Sequence, residues 1–154
     1  ALADPRVQSL TVVEAIAPVI DWHQRELLPD TAGLATDSRA HLLEGDFFAL
    51  IDGPVGFGAG RPDQYDAILL DIDHTPRPLL PKRHSAFYLR KDLQSMRRHL
   101  KPNGVFALWS DDPPDQEFLG VLSGVFTEAS THVVSFPNPL TGGDSANSVY
   151  VASR

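Results

Sequence analysis

Short apolar runs that end in an acidic residue recur four times along the chain. The four acids are Glu14, Asp46, Asp71 and Asp111. Each run is rich in leucine, β-branched or aromatic residues, and most are followed by a stretch whose apolar residues have helical spacing. Strands that alternate with helices form parallel sheets that are buried on both faces. The pattern therefore predicts an α/β domain with acids at the carboxyl ends of its strands, where such sheets bind ligands.

The same periodicity predicts the order of the elements. The strands of the parallel part are expected at residues 9–14, 38–44, 65–71 and 105–109. Helices are expected at residues 16–28, 47–51, 85–100 and 115–128, the second of them a single turn. Two last strands, at residues 132–137 and 147–153, flank a turn-rich connector and predict an antiparallel hairpin that closes the sheet.

Glycine and proline mark the expected loops. Residues 52–63 carry four glycines and two prolines, which favours a flexible loop. Residues 75–81 carry three prolines and are expected to form a lid or gating loop. The Lys-Pro-Asn-Gly sequence at 101–104 is typical of a turn that ends a helix. The sequence has no P-loop, Rossmann glycine fingerprint or nucleophile elbow, and the glycines at 56–60 follow no predicted strand.

Composition narrows the class of protein and its ligands. The 154 residues are expected to form a single domain over 1–154. The absence of cysteine excludes disulfides and thiolate metal sites. A net charge of −7 disfavours nucleic acid as a partner and is compatible with a cationic small molecule. No apolar run reaches the length of a membrane span, so no membrane partner is expected and a cytoplasmic protein is the default interpretation.

Two of the strand-end acids suit a nucleoside. Glu14 ends a strand and precedes a helix, so its two oxygens could accept hydrogen bonds from both hydroxyls of a ribose. It could equally stabilise the start of that helix as a solvated acid. Asp46 could accept a hydrogen bond from the exocyclic amine of a base while the aromatic Phe47 borders the ring. It could instead act as the N-cap of the short helix that follows, with no ligand at all.

A third acid suits proton transfer. Asp71 is expected at the mouth of the sheet, where a carboxylate could take a proton from an attacking amine or steer a cation. Asp73 and His74 follow it, and this Asp-x-Asp-His set could instead bind a divalent metal ion. The set lacks partner ligands at any recognisable spacing, so no metal is expected.

These residues together resemble the spermidine/spermine synthase (polyamine aminopropyltransferase) family, which has the Rossmann-like fold of the S-adenosylmethionine-dependent methyltransferases. The resemblance covers essentially the whole chain. The Val-Val-Glu at 12–14 with the Ile-Ala-Pro-Val-Ile at 16–20 resembles the family's ribose-binding segment, and the strand at 65–71 resembles the one that bears its catalytic Asp. Further resemblances are the Asp-Ser-Arg at 37–39, the Gly-Asp at 45–46, the Phe-Tyr at 87–88 and the closing strands at 136–151.

The resemblance implies a function and a role for each candidate residue. The reaction would be aminopropyl transfer from decarboxylated S-adenosylmethionine, or a relative of it, to a small-molecule amine or polyamine. Glu14 would hold the ribose and Asp46 the adenine, beside Phe47, and Asp71 would accept the proton of the attacking amine. Residues implied to bind the acceptor are Asp73, His74 and Tyr88. The family tends to form dimers, so a homodimer is one assembly that the resemblance implies.

The sequence departs from the family pattern in three places. Where the family has Asp-Ser-Ser-Asp-Pro, this chain has Asp-Ile-Asp-His-Thr at 71–75, so His74 takes the place of the second acid. The family's glutamine-bearing segment is replaced at 108–112. The first strand, its glycine-rich loop and the small N-terminal β-domain are lacking, so an upstream segment is expected. These departures keep two alternatives open: an S-adenosylmethionine-dependent methyltransferase, and a non-catalytic nucleoside-binding or assembly module.

Overall fold

The computed structural model of the protein describes residues 1–58, 62–71, 88–140 and 142–154. Its contacts divide the chain into two compact units, an N-terminal unit, Ala1–Leu50, and a C-terminal unit, Ile51–Arg154. Each unit has its own sheet. The expectation of a single domain over the whole chain stays a prediction. No helix among the described residues has the length and hydrophobicity that crossing a membrane requires.

The N-terminal unit is built on two parallel strands. Its elements, in chain order, are β1 (Leu10–Glu14), α1 (Ala17–Gln24), a 3₁₀ turn (Pro29–Thr31), β2 (Ala40–Glu44) and α2 (Phe47–Asp52), whose last two residues belong to the C-terminal unit. The two strands pair in register from Leu10 opposite Ala40 to Glu14 opposite Glu44. Both strands lie close to where the apolar runs predicted them.

Helix α1 is shorter than the periodicity predicts. The apolar spacing continues to residue 28, but the helix ends at Gln24. The reason is local, because Glu26 adopts a left-handed backbone conformation with φ of 54°. Its N–H donates to the carbonyl of His23, three residues back, which replaces the helical pattern. Leu27, which the predicted helix includes, lies beyond the observed one and is 52 % exposed.

The C-terminal unit holds a mixed four-stranded sheet. Its elements are β3 (Tyr65–Leu70), α3 (Arg90–Arg97), β4 (Leu100–Ser110), α4 (Gln116–Ser123), β5 (Glu128–Asn138) and β6 (Gly143–Ser153). The strand order is β3-β4-β6-β5, with β3 and β4 parallel and the pairs β4–β6 and β6–β5 antiparallel. This arrangement confirms the α/β architecture and its C-terminal antiparallel hairpin.

Alternate residues of β4 form the centre of the core in this unit. Phe106, Leu108 and Ser110 are fully buried, whereas the residues between them are half-buried. This alternation is the two-residue period of a strand whose two faces differ in their covering. Helices α3 and α4 contact the strands from the covered side. Fully buried side chains that complete the core include Leu93, Met96, Leu122 and Tyr150.

The turn expected at 101–104 lies inside β4 instead. Tyr65 pairs with Leu100 and Ala67 with Val105, so the register shifts at this point. Asn103 has φ of 63°, in the left-handed region that asparagine tolerates. The turn-forming sequence thus produces an irregularity in a continuous strand, and not the break between helix and strand that we expected. The helix that precedes it runs from Arg90 to Arg97, and residues 85–87 of the predicted helix lie outside the described residues.

The closing hairpin is longer than predicted. Strands β5 and β6 pair along their whole length, from Glu128 opposite Ser153 to Asn138 opposite Gly143. Strand β4 pairs with β6 only as far as Ser110 opposite Ser148. The part of the hairpin beyond that point is a two-stranded ribbon, formed by residues 134–138 and 143–147. Polar residues in both strands obscured their length in the sequence, because serine and asparagine are typical of turns.

Candidate functional site

The carboxyl ends of β1 and β2 bring two predicted nucleoside residues onto neighbouring strand ends. Glu14 lies opposite Glu44 in the parallel register. The N–H of Gly45 donates to the carbonyl of Glu14 at 3.0 Å, which extends the pairing by one residue. Asp46 follows directly. The backbone therefore places Glu14 and Asp46 at the same edge of the sheet, as parallel pairing requires.

The Glu14 side chain already has one partner in the protein. Its Oε1 atom accepts a hydrogen bond from the N–H of Ile16 at 2.7 Å. Ile16 is the N-cap of α1 and has no capping side chain of its own, so Glu14 satisfies a donor at the start of that helix. Among the described residues, the second oxygen, Oε2, accepts no hydrogen bond from the protein. Glu14 thus stabilises the start of α1, as the alternative interpretation of the sequence predicts, and it does so through one oxygen of its carboxylate.

Asp46 caps α2. Its Oδ1 atom accepts hydrogen bonds from the N–H of Phe48 at 2.9 Å and of Ala49 at 3.3 Å. Phe47, the first residue of the helix, packs its ring edge-on against Phe48 with centroids 5.7 Å apart. An ionised carboxylate has about four acceptor positions, so capping through Oδ1 is compatible with further hydrogen bonds. The carboxylate and the Phe47 ring are both half-buried.

Sequence reasoning missed Glu44, which it treated only as part of a strand. The register places Glu44 directly beside Glu14. Three acidic residues, Glu14, Glu44 and Asp46, therefore lie at this edge of the sheet. A signal was present in the sequence, since both predicted strands, at 9–14 and 38–44, end in glutamate. Their registration could not be read from the sequence, because it depends on which residues pair.

The C-terminal unit has its own set of strand-end acids. Asp71 follows β3 directly and is exposed. Because Leu70 pairs with Leu108 in parallel, Asp71 emerges beside the last residues of β4. The segment after β4 carries Asp111 and Asp112 and is fixed by Ser148, whose hydroxyl donates to the carbonyl of Asp112 at 2.7 Å. A carboxylate in this exposed position can attract a cation or accept a proton.

Tyr88, an implied acceptor-binding residue, lies in the aromatic core of the C-terminal unit. It is 6 % exposed, and its ring packs edge-on against Phe118 with centroids 5.3 Å apart. Phe118 in turn packs edge-on against Tyr150. Burial, with a smaller contribution from Tyr150, raises the pKa of the Tyr88 hydroxyl to about 12, so this group keeps its proton. Leu89, which the predicted helix includes, is 60 % exposed and precedes the observed helix, which begins at Arg90.

Two implied acceptor residues, Asp73 and His74, and the predicted lid at 75–81 lie outside the described residues. Within the described part of the chain, no group of three or more histidine, aspartate or glutamate residues is arranged to hold a metal ion. The role of each candidate residue in the two units stays a prediction.

Comparison with known proteins identifies the fold. No family model matches the sequence. A spermidine synthase in complex with the transition-state analogue AdoDATO has a TM-score of 0.69 and 19 % identity over 99 % of this chain and 46 % of its own. Spermidine synthase from Thermotoga maritima has a TM-score of 0.70 and 20 % identity over 99 % of this chain and 47 % of its own. The fold is the Rossmann-like methyltransferase fold.

A third solved structure has the same fold. Human Methyltransferase-like protein 13 in complex with SAH has a TM-score of 0.67 and 21 % identity, over 94 % of this chain and 60 % of its own. This chain spans about half the length of the two spermidine synthases. At these identities the likeness shows the fold, which the methyltransferases and the spermidine synthases share.

Proposed function

We propose that the protein is a spermidine synthase-like transferase that moves an aminopropyl group from decarboxylated S-adenosylmethionine to a small amine or polyamine. The observation that carries the proposal is the register of β1 and β2, which puts Glu14 and Asp46 on adjacent strand ends. The structural neighbours support it, since one is a spermidine synthase with AdoDATO and another a methyltransferase-like protein with SAH.

The nucleoside end of the donor fits the N-terminal unit. A carboxylate can accept hydrogen bonds from both hydroxyls of a ribose, and Glu14 has an oxygen without a protein donor in the described structure. Asp46 has the acceptor chemistry that an exocyclic amine needs, and Phe47 offers a half-buried aromatic ring beside it. We assign the ribose to Glu14 and the base to Asp46 and Phe47.

The chemical step is assigned to Asp71. An alkylammonium has a pKa near 10 and must lose a proton before its nitrogen can attack. In the proposed step a C–N bond forms, the C–S bond of the sulfonium breaks, and 5′-methylthioadenosine leaves with the electron pair. The amine proton passes to the carboxylate of Asp71. Acceptor contacts by Asp73, His74 and Tyr88 belong to the same proposal.

Methyl transfer is the alternative that a specific observation favours. The likeness to the human methyltransferase-like protein is nearly as strong as the likeness to the spermidine synthases. Both donors share the nucleoside, so Glu14 and Asp46 would keep their roles. The two donors differ in the group transferred, and therefore in the mass that the acceptor gains.

Nucleoside binding is the first test. Calorimetry with 5′-methylthioadenosine should detect binding to the full-length natural protein. Glu14→Gln should weaken it roughly tenfold to hundredfold, because hydrogen bonds to a charged group contribute about 1.5–3 kcal/mol. Glu44→Gln is the matched change on the neighbouring strand. Because Glu44 is assigned no hydrogen bond to the nucleoside, this change should alter the affinity less than about threefold. Absence of binding, or equal losses in both variants, would contradict the nucleoside assignment.

Product analysis is the second test. Polyamines are incubated with decarboxylated S-adenosylmethionine or S-adenosylmethionine, and mass spectrometry identifies the added group. We expect aminopropyl addition, and a loss of roughly 10²–10⁴-fold in rate for Asp71→Asn with nucleoside binding retained. Methyl addition would establish the alternative. Nucleoside binding without transfer from either donor would instead support the non-catalytic module.

A further inference from the structure

A fully buried histidine joins three parts of the C-terminal unit. His99 lies at the junction of α3 and β4 and is 0 % exposed. Its Nε2 atom is 3.0 Å from the carbonyl oxygen of Ile51, in the last turn of α2. Its ring lies against that of Phe57, with centroids 5.1 Å apart. The carbonyl of His99 accepts the N–H of Tyr65, the first residue of β3, at 2.8 Å.

The contacts of His99 define the position of its proton. A carbonyl oxygen is an acceptor only, so the hydrogen bond to Ile51 requires the proton on Nε2. The other ring nitrogen, Nδ1, is buried and has no hydrogen-bond partner among the described residues. A second proton on the ring would have to sit on Nδ1, where the described structure offers no acceptor. Burying a charged group without a partner is strongly unfavourable.

Arg98 is the charged group that acts against protonation of His99. Arg98, its neighbour in the chain, donates to the same Ile51 carbonyl at 3.3 Å. Asp52 ends α2, and Asp66 on β3 is paired with Lys101 at 2.9 Å. The described structure shows no hydrogen bond from the His99 ring to a carboxylate. Burial, partly offset by the hydrogen bond to Ile51 and reinforced by Arg98, lowers the pKa of His99 below 6.5.

We propose that His99 is a proton-sensitive anchor for the carboxyl end of α2. In its neutral form the ring holds the Ile51 carbonyl and fills the space beside Phe57. When the ring takes a second proton, it carries an unpaired charge in a buried site. The ring then leaves the site, and its hydrogen bond to the Ile51 carbonyl is lost. The orphaned Nδ1 is the feature that makes the anchor respond to acid.

The direction of the effect follows from linkage. In the unfolded chain His99 takes its proton near pH 6.5, whereas in the folded chain it does so at a lower pH. Between these two values the unfolded state binds more protons, so the free energy of unfolding falls as the pH falls. Above about pH 6.5 both states are neutral at this residue, and the anchor is fully in place.

The first experiment observes the ring directly. NMR of the imidazole signals should assign the neutral form to the Nε2–H tautomer and give a titration midpoint below pH 6.5. As His99 titrates, the amide of Tyr65, whose N–H donates to the His99 carbonyl, should lose protection from hydrogen exchange. A midpoint at or above pH 6.5, or an Nδ1–H tautomer, would overturn the proposal.

The second experiment uses variants. His99→Gln keeps a side-chain donor for Ile51 but does not titrate, and His41→Gln removes an exposed histidine as the control. Between about pH 7 and pH 5, across the range of histidine titration, the urea midpoint should fall less in His99→Gln than in the wild type. The control should follow the wild type. Equal falls in all three proteins would contradict the anchor, and the NMR titration decides the matter if His99→Gln does not fold.

Discussion

The two units of the protein are stabilised by different means. None of residues 1–50, all of which the structure describes, is fully buried. The C-terminal unit has fully buried residues on its strands and on helices α3 and α4, among them Phe106, Leu122 and Tyr150. Since burial of apolar surface is the main stabilising contribution in proteins, most of it must come from the C-terminal unit.

Polar contacts with the backbone stand out in the N-terminal unit. The guanidinium of Arg39 donates to the carbonyls of Leu2 and Val7, both at 3.1 Å, and pairs with Asp37 at 2.7 Å. Glu14 and Asp46 accept N–H groups at the starts of two helices. Such contacts fix local backbone geometry but contribute modestly to overall stability. The candidate nucleoside residues thus occupy the less buried unit, where their carboxylates remain accessible.

The largest expected effect is the loss of an aromatic side chain from the C-terminal core. Phe106 is 0 % exposed and stacks on Phe126 with centroids 6.0 Å apart. Phe106→Ala should lower the free energy of unfolding by about 3–5 kcal/mol. Val12→Ala, in half-buried β1, should cost about 1 kcal/mol or less, because little apolar surface is lost from the interior. Chemical denaturation measures both, and similar losses would remove the contrast between the units.

A matched pair of helix caps gives an intermediate effect. Asp115 accepts the N–H groups of Glu117 at 2.8 Å and Phe118 at 3.2 Å, and Asp46 caps α2 with nearly the same geometry. Asp115→Ala should cost about 0.5–2 kcal/mol of overall stability, since its helix packs on the core.

Asp46→Ala serves as the comparison for this cap. It should mainly increase hydrogen exchange at Phe48 and Ala49, with a smaller shift in the denaturation midpoint than Asp115→Ala. If Asp46→Ala destabilised the whole protein more than Asp115→Ala, the N-terminal unit would be more important for stability than its burial suggests.

The smallest expected effect is the loss of the Asp37–Arg39 ion pair as the pH falls. The hydrogen bonds from Arg39 lower the pKa of Asp37 to about 2. The stabilising contribution of this pair is therefore complete above the unfolded value near 4 and is lost as the pH falls toward 2. NMR titration of the Asp37 carboxyl checks the midpoint, and amide exchange near Leu2 and Val7 should rise over the same range. Asp37→Asn should show that faster exchange already at neutral pH.

The fold was predictable where one pattern dominates. Apolar runs located β1, β2 and β3 within one or two residues, because short apolar runs of this composition are typical of strands. Helix ends were less predictable, since α1 stops at the left-handed Glu26 without a glycine or proline to mark it. The sequence at 101–104 correctly indicated an irregular backbone. Its place inside β4 depends on the pairing of β4 with β3 on both sides of it, which the local sequence does not encode.

The candidate site was predictable in part. The rule that parallel strands end together correctly brought Glu14 and Asp46 to one edge, and both also make the local hydrogen bonds that the alternative interpretation required. The burial of Tyr88 could not be read from its spacing, because it precedes the helix and its side chain packs on Phe118 from a distant element. Asp73 and His74, which the family resemblance implies as acceptor-binding residues, lie outside the described residues.

The two-stranded ribbon at the far end of the hairpin has a practical consequence. Val134 and Phe136 lie on it and are 48 % and 40 % exposed, while β4 no longer supports the pairing there. Its tip is a place where the chain can accept new sequence without disturbing the buried core, as exposed loop tips generally do. A fluorescent label or an affinity tag inserted between β5 and β6 would therefore report on the C-terminal unit while leaving its packed interior intact.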